Sequence, residues 1–182
     1  PPPELATLPP PPPRPLAPPP TPPPPVGGST PLGKLVVQQM DATLVDRARL
    51  PVFDWPAWQA AMAPYWTSDF VYDTTVGTGG KTVGLHDWYY GEHTYWNTAF
   101  SNVAFTQLVF AGEERSATTT TYALATWVGP FAGVPPSNAT VRVRICDFYR
   151  LDDSKRISYN WMMLDVADMM RASGRRVLPR AP

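Results

Sequence analysis

The chain of 182 residues carries 15 Lys plus Arg against 15 Asp plus Glu, so its formal net charge is zero, and 25 of its residues are Pro. Scattered, balanced charge argues against a nucleic-acid partner, and the lack of any apolar run of about 18 residues argues against a transmembrane helix. A single cysteine, Cys146, leaves no intrachain disulfide and no zinc set.

The prolines are concentrated at the start: 16 of the first 25 residues are Pro. Proline fixes φ and lacks a backbone donor, so this segment forms neither helix nor sheet. Its expected state is polyproline II, at about 3.1 Å per residue and on the order of 75 Å in reach. Residues 1–30 are therefore read as an arm and hinge, and residues 31–182 as one domain. Stiff Pro-rich chain loses little entropy on binding. The arm is expected to dock on a partner protein through Leu5, Leu8 and Leu16, its sizeable aliphatic anchors, and Arg14, its one cation. The chain starts without Met, as expected of a trimmed, fragmentary or processed chain, a processed organellar protein among them. The compartment stays open.

The domain begins with Thr30-Pro31, a hydroxyl cap followed by a first-turn proline. Val37, Met40, Leu44 and Ala48 then keep helical spacing through Arg49, and Pro51 closes the helix. Asp54 caps a shorter helix, "WPAWQAAMA". "YWTSDFVYDTT", Tyr65 to Thr75, leads into a strand, and "GTGGKTVG" reads as a turn-rich link. A third helix is predicted from about Leu85 to Ala99. Strands follow over about Asn102–Ala111, Ser116–Val128, Thr140–Leu151 and Arg156–Leu164. A last helix, "VADMMRAS", stops at Gly174, a residue suited to C′. Helices first and then an antiparallel meander give an α+β layout, with helices over one face of a curved sheet. Seven Trp and eight Tyr suggest a partly polar cavity or an interface. "RRVLPR", Arg175 to Arg180, reads as a solvated basic end.

One strand carries an anomaly. In "VRVRICDFYRL" the alternation puts Val141, Val143, Ile145, Asp147 and Tyr149 on one face and Arg142, Arg144, Cys146, Phe148 and Arg150 on the other. An acid thus continues the apolar row. Either the inner face opens on a pocket that uses a carboxylate, or Asp147 has a buried partner and a structural role. In the first case desolvation raises its pKa and strengthens it as a base.

"VRVRICDFYRLDDSKRISYNWMMLDVADMMRASG" resembles the C-terminal signature of SnoaL-like proteins, polyketide-cyclase relatives in the nuclear-transport-factor-two-like superfamily. "GTGGKTVGLHDWYYGEHTYWNTAF" and "GPFAGVPPSNATVRVR" resemble that family's glycine loop with helix-borne His and its hairpin. The resemblance covers roughly Ala48 to Arg176. It implies a cone: a strongly bent antiparallel sheet wrapped round an apolar cavity by N-terminal helices. It also implies acid–base cyclisation or isomerisation of a polyketide-like or polycyclic molecule, without metal or cofactor. Many relatives are non-catalytic binding or dimerisation modules, so an accessory subunit docked through the arm stands as the alternative, and a homodimer fits either. Carried over by position, Asp147 matches the family's base and His93 its helix-borne His; on the enzyme reading the helper is His93 or Tyr149. His86 with His93 makes a weak metal pair, and no metal site is expected. Two positions depart from the family. Trp127 stands where cyclases often have His, and Tyr159 where an acid often precedes the "NW" pair, so two polar cavity groups are expected to have become aromatic. With them, Trp66, Tyr72, Trp96 and Trp161 are expected to line the ligand cavity.

Overall fold

The structure, a computed structural model, describes residues 30–48, 54–74 and 80–175. The expectations placed on the Pro-rich arm, Leu5, Leu8, Arg14 and Leu16 included, lie outside the described residues. So does the basic tail beyond Arg175.

Helix α1 (Leu32–Ala48) starts where Leu35 N–H bonds the Pro31 carbonyl, and it buries Val37 and Met40. A Cβ at Gly33 would run into the Glu113 and Ser116 carbonyls, so the missing side chain lets the helix begin against the turn between two strands. Helix α2 (Trp55–Met62) is capped as expected: the Asp54 carboxylate accepts from Ala57 N–H, and Trp58 and Met62 face inward. Strand β1 (Trp66–Thr74) follows. The "GTGGKTVG" link differs from its reading as turn, because Lys81–Val83 forms a short strand, β2, paired antiparallel with β1. Three residues at a sheet edge are too few for alternation to register.

The third helix is continuous from Gly84 to Ala99 but not uniform: α3 (Gly84–Trp88) opens into a π turn (Tyr89–His93) and closes as α4 (Thr94–Ala99). Strands β3 (Phe100–Gly112), β4 (Ser116–Trp127), β5 (Thr140–Leu151) and β6 (Ile157–Leu164) precede α5 (Val166–Ala172). Gly174 takes a φ of 78°, and the last carbonyls of α5 bond Gly174 N–H and Arg175 N–H, as a Schellman-type end requires.

The six strands form one sheet in the order β2-β1-β6-β5-β4-β3. It is mixed rather than wholly antiparallel. Strand β1 pairs parallel with β6, while the remaining neighbours pair antiparallel. The hairpin signals between consecutive strands could not show a pairing between two strands about 90 residues apart. Register shifts in β1, in β3 and at the end of β5 mark bulges, and bulges bend a sheet. Helix α1 packs across β3, β4 and β5, and α5 packs on β5. The core gathers the inner row of β5, Val141, Val143, Ile145 and Tyr149, with Trp66, Phe70 and Leu164. Each fully buried aliphatic or Phe side chain stabilises by roughly 1.5–3 kcal/mol. Among the described residues no helix is long and apolar enough to cross a membrane.

Candidate active site

The inner face of β5 does open on a cavity. It measures about 340 Å³ and lies between α1, the π-turn helix and the sheet. Strand register explains which side chains share it. Thr119 on β4, Asp147 on β5 and Met162 on β6 form one cross-strand row; Thr121, Ile145 and Leu164 form the next. Tyr149 and Asn160 pair in a third row, which Tyr72 of β1 extends.

Asp147 is held by a neutral partner. Asn160 Nδ2 donates to Asp147 Oδ1 at 3.2 Å and also reaches the Phe148 carbonyl at 3.4 Å. Burial pushes the Asp147 carboxyl up from 3.8 to about 7, and the Asn160 hydrogen bond works against that rise. Both halves of the alternative posed by the sequence are present: Asp147 faces a cavity, and it has a buried partner, the Asn160 amide on β6 rather than a cation. No Lys or Arg lines the cavity among the described residues.

Two further acids share the space. Asp41, on α1, is raised from 3.8 to about 7, by burial first and by the charge of Asp147 second. Glu92, in the π turn, rises from 4.5 to about 8 through burial, with Asp147 adding and a hydrogen bond from Tyr72 opposing. The single Tyr72 hydroxyl proton is shared between Met162 Sδ at 3.0 Å and Glu92 Oε1 at 3.5 Å. Glu92 is 4% exposed, and its Oε2 is buried without a hydrogen-bond partner among the described residues. His93 also lines the cavity, beside the rings of Trp58, Trp88 and Tyr89; burial lowers its pKa from 6.5 to about 4, so it is neutral at pH 7. Burial likewise holds the Tyr72 and Tyr149 hydroxyls well above the ordinary phenol value. The site thus presents three carboxyls poised near neutrality, two phenols that stay protonated and one neutral imidazole.

Glu92 and His93 lie in the π turn and share one wall with Trp88 before it and Trp96 after it. An α-helix sets neighbours about 100° apart, whereas a π turn widens the helix locally and often marks a functional site.

Of the residues singled out in the sequence, Asp147, His93, Tyr149, Trp66, Tyr72 and Trp96 come together here. Trp127, Tyr159 and Trp161 do not. Trp127 is fully buried at the far end of β4, donates its Nε1–H to the Gly129 carbonyl at 2.7 Å, and receives Arg175 on its ring. That arginine also bonds the Pro135 and Pro136 carbonyls, so the start of the basic tail is docked rather than solvated. Tyr159 and Trp161 belong to the outer row of β6. The Tyr159 hydroxyl donates to Asp73 Oδ2 at 2.6 Å, and Trp161 lies tilted against the Phe148 ring while 45% exposed. Aromatics have therefore not displaced the cavity's polar groups. Asp41, Glu92, Trp88 and Asn160 are the residues that sequence reasoning missed. Among the described residues no three His, Cys, Asp or Glu side chains converge as metal ligands.

The family model described as SnoaL-like polyketide cyclase matches residues 43–173. Solved structures agree on the fold. A candidate SnoaL-like polyketide cyclase from Jannaschia sp. CCS1 superposes with a TM-score of 0.57 at 19% identity, over 77% of this chain and 94% of that one. AclR, a candidate hydroxylase from Streptomyces galilaeus, gives 0.56 at 19% identity, over 82% and 87%. IdmH, a candidate polyketide cyclase from Streptomyces antibioticus, gives 0.57 at 18% identity, over 75% and 97%. Among curated proteins none matches the chain.

Proposed function

The chain belongs to the SnoaL-like polyketide cyclase family, and from that premise we propose that its cavity is the active site of a cofactor-free acid–base enzyme acting on a polyketide-like or polycyclic carbonyl compound. The observation that carries this reading is the setting of Asp147: an acid in an apolar row, facing a cavity, braced by an amide and raised to about 7. A base with a pKa near the working pH is the most effective kind. The Asn160 hydrogen bond orients Oδ1, and Oδ2 takes the proton from the carbon next to the substrate carbonyl. The electron pair moves onto the carbonyl oxygen, where Tyr149 or another protonated wall group donates a hydrogen bond. In a ring closure the enolate carbon bonds a second carbonyl carbon, and Asp147 returns its proton to the alkoxide. In an isomerisation the proton returns to a different carbon. His93, neutral at pH 7, serves as a hydrogen-bonding wall group rather than a cation. Likeness of fold does not choose among these reactions.

The test is deuterium uptake next to the carbonyl of α-tetralone in D2O, followed by NMR. The wild type should exchange faster than buffer, and Asp147→Asn should lose about 10²–10⁴-fold of that acceleration. Exchange no faster than buffer, or an Asp147→Asn variant as fast as wild type, would sink the reading.

A second reading, an accessory or structural subunit, draws on the opposite face of the sheet. There Phe148, Trp161, Met163 and Leu124 stand exposed, and an apolar patch of this kind marks an interface. A homodimer, or a partner chain held with the Pro-rich arm, is the occupant on that reading. Removing residues 1–29 should then release the protein from its assembly with the domain still folded; undiminished co-purification would make the arm a spacer.

A further inference from the structure

We propose that the ligand of this cavity is a cation: a flat apolar molecule carrying a protonated or quaternary amine, taken up by Glu92, Asp41 and Asp147 within walls of tryptophan and tyrosine. The inference rests on the reading of the cavity as a ligand site and adds the charge of the ligand.

Four observations carry it. The first is sign. The titratable groups facing the cavity are Asp41 from α1, Tyr72 from β1, Glu92 and His93 from the π turn, and Asp147 and Tyr149 from β5. Strands β3, β4 and β6 present no titratable side chain to it, and no Lys or Arg lines it among the described residues. Every charge this wall can carry near neutral pH is therefore negative. The second is a buried carboxyl oxygen without a hydrogen-bond partner among the described residues. Glu92 is 4% exposed, its Oε2 has no partner among the described residues, and its Oε1 has only a long hydrogen bond from Tyr72. A buried carboxyl oxygen left without a donor costs stability unless a ligand supplies one.

The third observation is the walls. Trp66, Trp88, Trp96 and Tyr72 border the same space, and the faces of such rings attract cations. The fourth is spread. The three carboxyls stand on three different elements and do not converge into a set that could hold a metal ion. That spacing suits an organic cation with a body of its own. Burial raises the pKa values of the three acids, with the charge of Asp147 adding at Asp41 and Glu92, and no cation lines the wall among the described residues to offset it. A bound cation would favour their ionised forms, and in doing so would ready Asp147 as a base.

The experiment uses the full chain and three tricyclic probes of like shape: N-methylacridinium (fixed positive charge), acridine (neutral at pH 7.5) and anthracene-9-carboxylate. Calorimetry measures binding at pH 7.5 in two buffers of different ionisation enthalpy. N-methylacridinium should bind at least about tenfold tighter than acridine, and the carboxylate weakest. Cation binding should release protons, and its affinity should rise with pH as the acids ionise. Glu92→Gln should remove most of the cation's advantage over acridine; Asp41→Asn, on a separate helix, is the second variant should the first not fold. Acridine binding as tightly as the cation would overturn the inference and leave the cavity a ligand site. Failure of all three probes to bind would overturn both. A cation advantage that survives in both variants would place the cation elsewhere and overturn the assignment to these carboxyls.

Discussion

The two faces of strand β5 handle charge in opposite ways. On the outer face Arg144 pairs with Asp165 at 2.6 Å and Arg142 with Asp168 at 3.6 Å; Arg144 is exposed and Arg142 half-buried. These pairs tie α5 to the sheet, and Arg142 also lies over the Tyr122 ring. Solvent screens them, so each is worth little and costs little. On the inner face Asp147 meets an amide and two other acids across the cavity, with no cation in the wall. Desolvation there is uncompensated, and it shows as carboxyls held near neutrality. A fold gains nothing in stability from such an arrangement. Perturbed acids in a cleft are what the proposed site for chemistry or binding calls for.

The largest expected effect contrasts two tryptophans. Trp66 is 2% exposed at the cavity wall, and Trp161 is 45% exposed on the outer face. Trp66→Ala should cost about 3–5 kcal/mol in urea unfolding, and Trp161→Ala about 0.5 kcal/mol or less. Similar losses at both sites would mean that the outer face is packed in solution and would point to a dimer.

Next comes pH. A carboxyl whose folded pKa is raised binds its proton more tightly folded than unfolded. Its contribution to stability is therefore lost as pH climbs from the unfolded value to the folded one. For Asp41 and Asp147 that window runs from about 4 to about 7, and for Glu92 to about 8. His93 works the other way: with its pKa lowered to about 4, it destabilises the fold as pH falls below 6.5. Between pH 6.5 and 8 the acids act without that opposition, and the melting temperature should fall with rising pH. Asp147→Asn should be stabilising by about 2 kcal/mol at pH 8, discounted for water admitted by the cavity, and nearly neutral at pH 4. Destabilisation at pH 8 would indicate a cationic partner that the geometry does not contain.

The smallest effect belongs to the outer pairs. Arg144→Ala should cost about 0.2–1 kcal/mol, shrinking with added salt. A larger, salt-independent loss would show that α5 depends on that pair more than its exposure allows.

Much of this was legible in the sequence. Thr140–Leu151 matches β5 residue for residue, because strict alternation bounded by a loop and an acidic turn leaves little freedom. The same pattern exposed Asp147. Asp41 and Glu92 carried an equivalent signal that went unread. Asp41 sits in the helical stripe of Val37, Met40 and Leu44, and Glu92 lies midway between Trp88 and Trp96 at i+4 spacing. An acid in an apolar helical stripe is the counterpart of an acid in an apolar strand row. The π turn that carries Glu92 and His93 leaves no mark in the pattern. Neither does the parallel pairing of β1 with β6, which depends on how the sheet closes. Trp127, Tyr159 and Trp161 were misplaced for a related reason: aromatic character says that a ring wants cover, not which side of the sheet supplies it. For Tyr159 and Trp161 strand parity points the wrong way: their row, with Ile157 and Met163, is the more apolar of the two in β6, yet Tyr159, Trp161 and Met163 face outward.

The central claim is that the inner face keeps an uncompensated acid facing its cavity, and the titration of Asp147 tests it most directly. Carbon-13 NMR of the side-chain carboxyls, followed from pH 4 to pH 9 and assigned by Asp147→Asn, should give Asp147 a midpoint of about 7. A midpoint in the ordinary aspartate range, near 3.9, would mean that a cation or solvent already neutralises the inner face, and the contrast between the two faces of β5 would not stand.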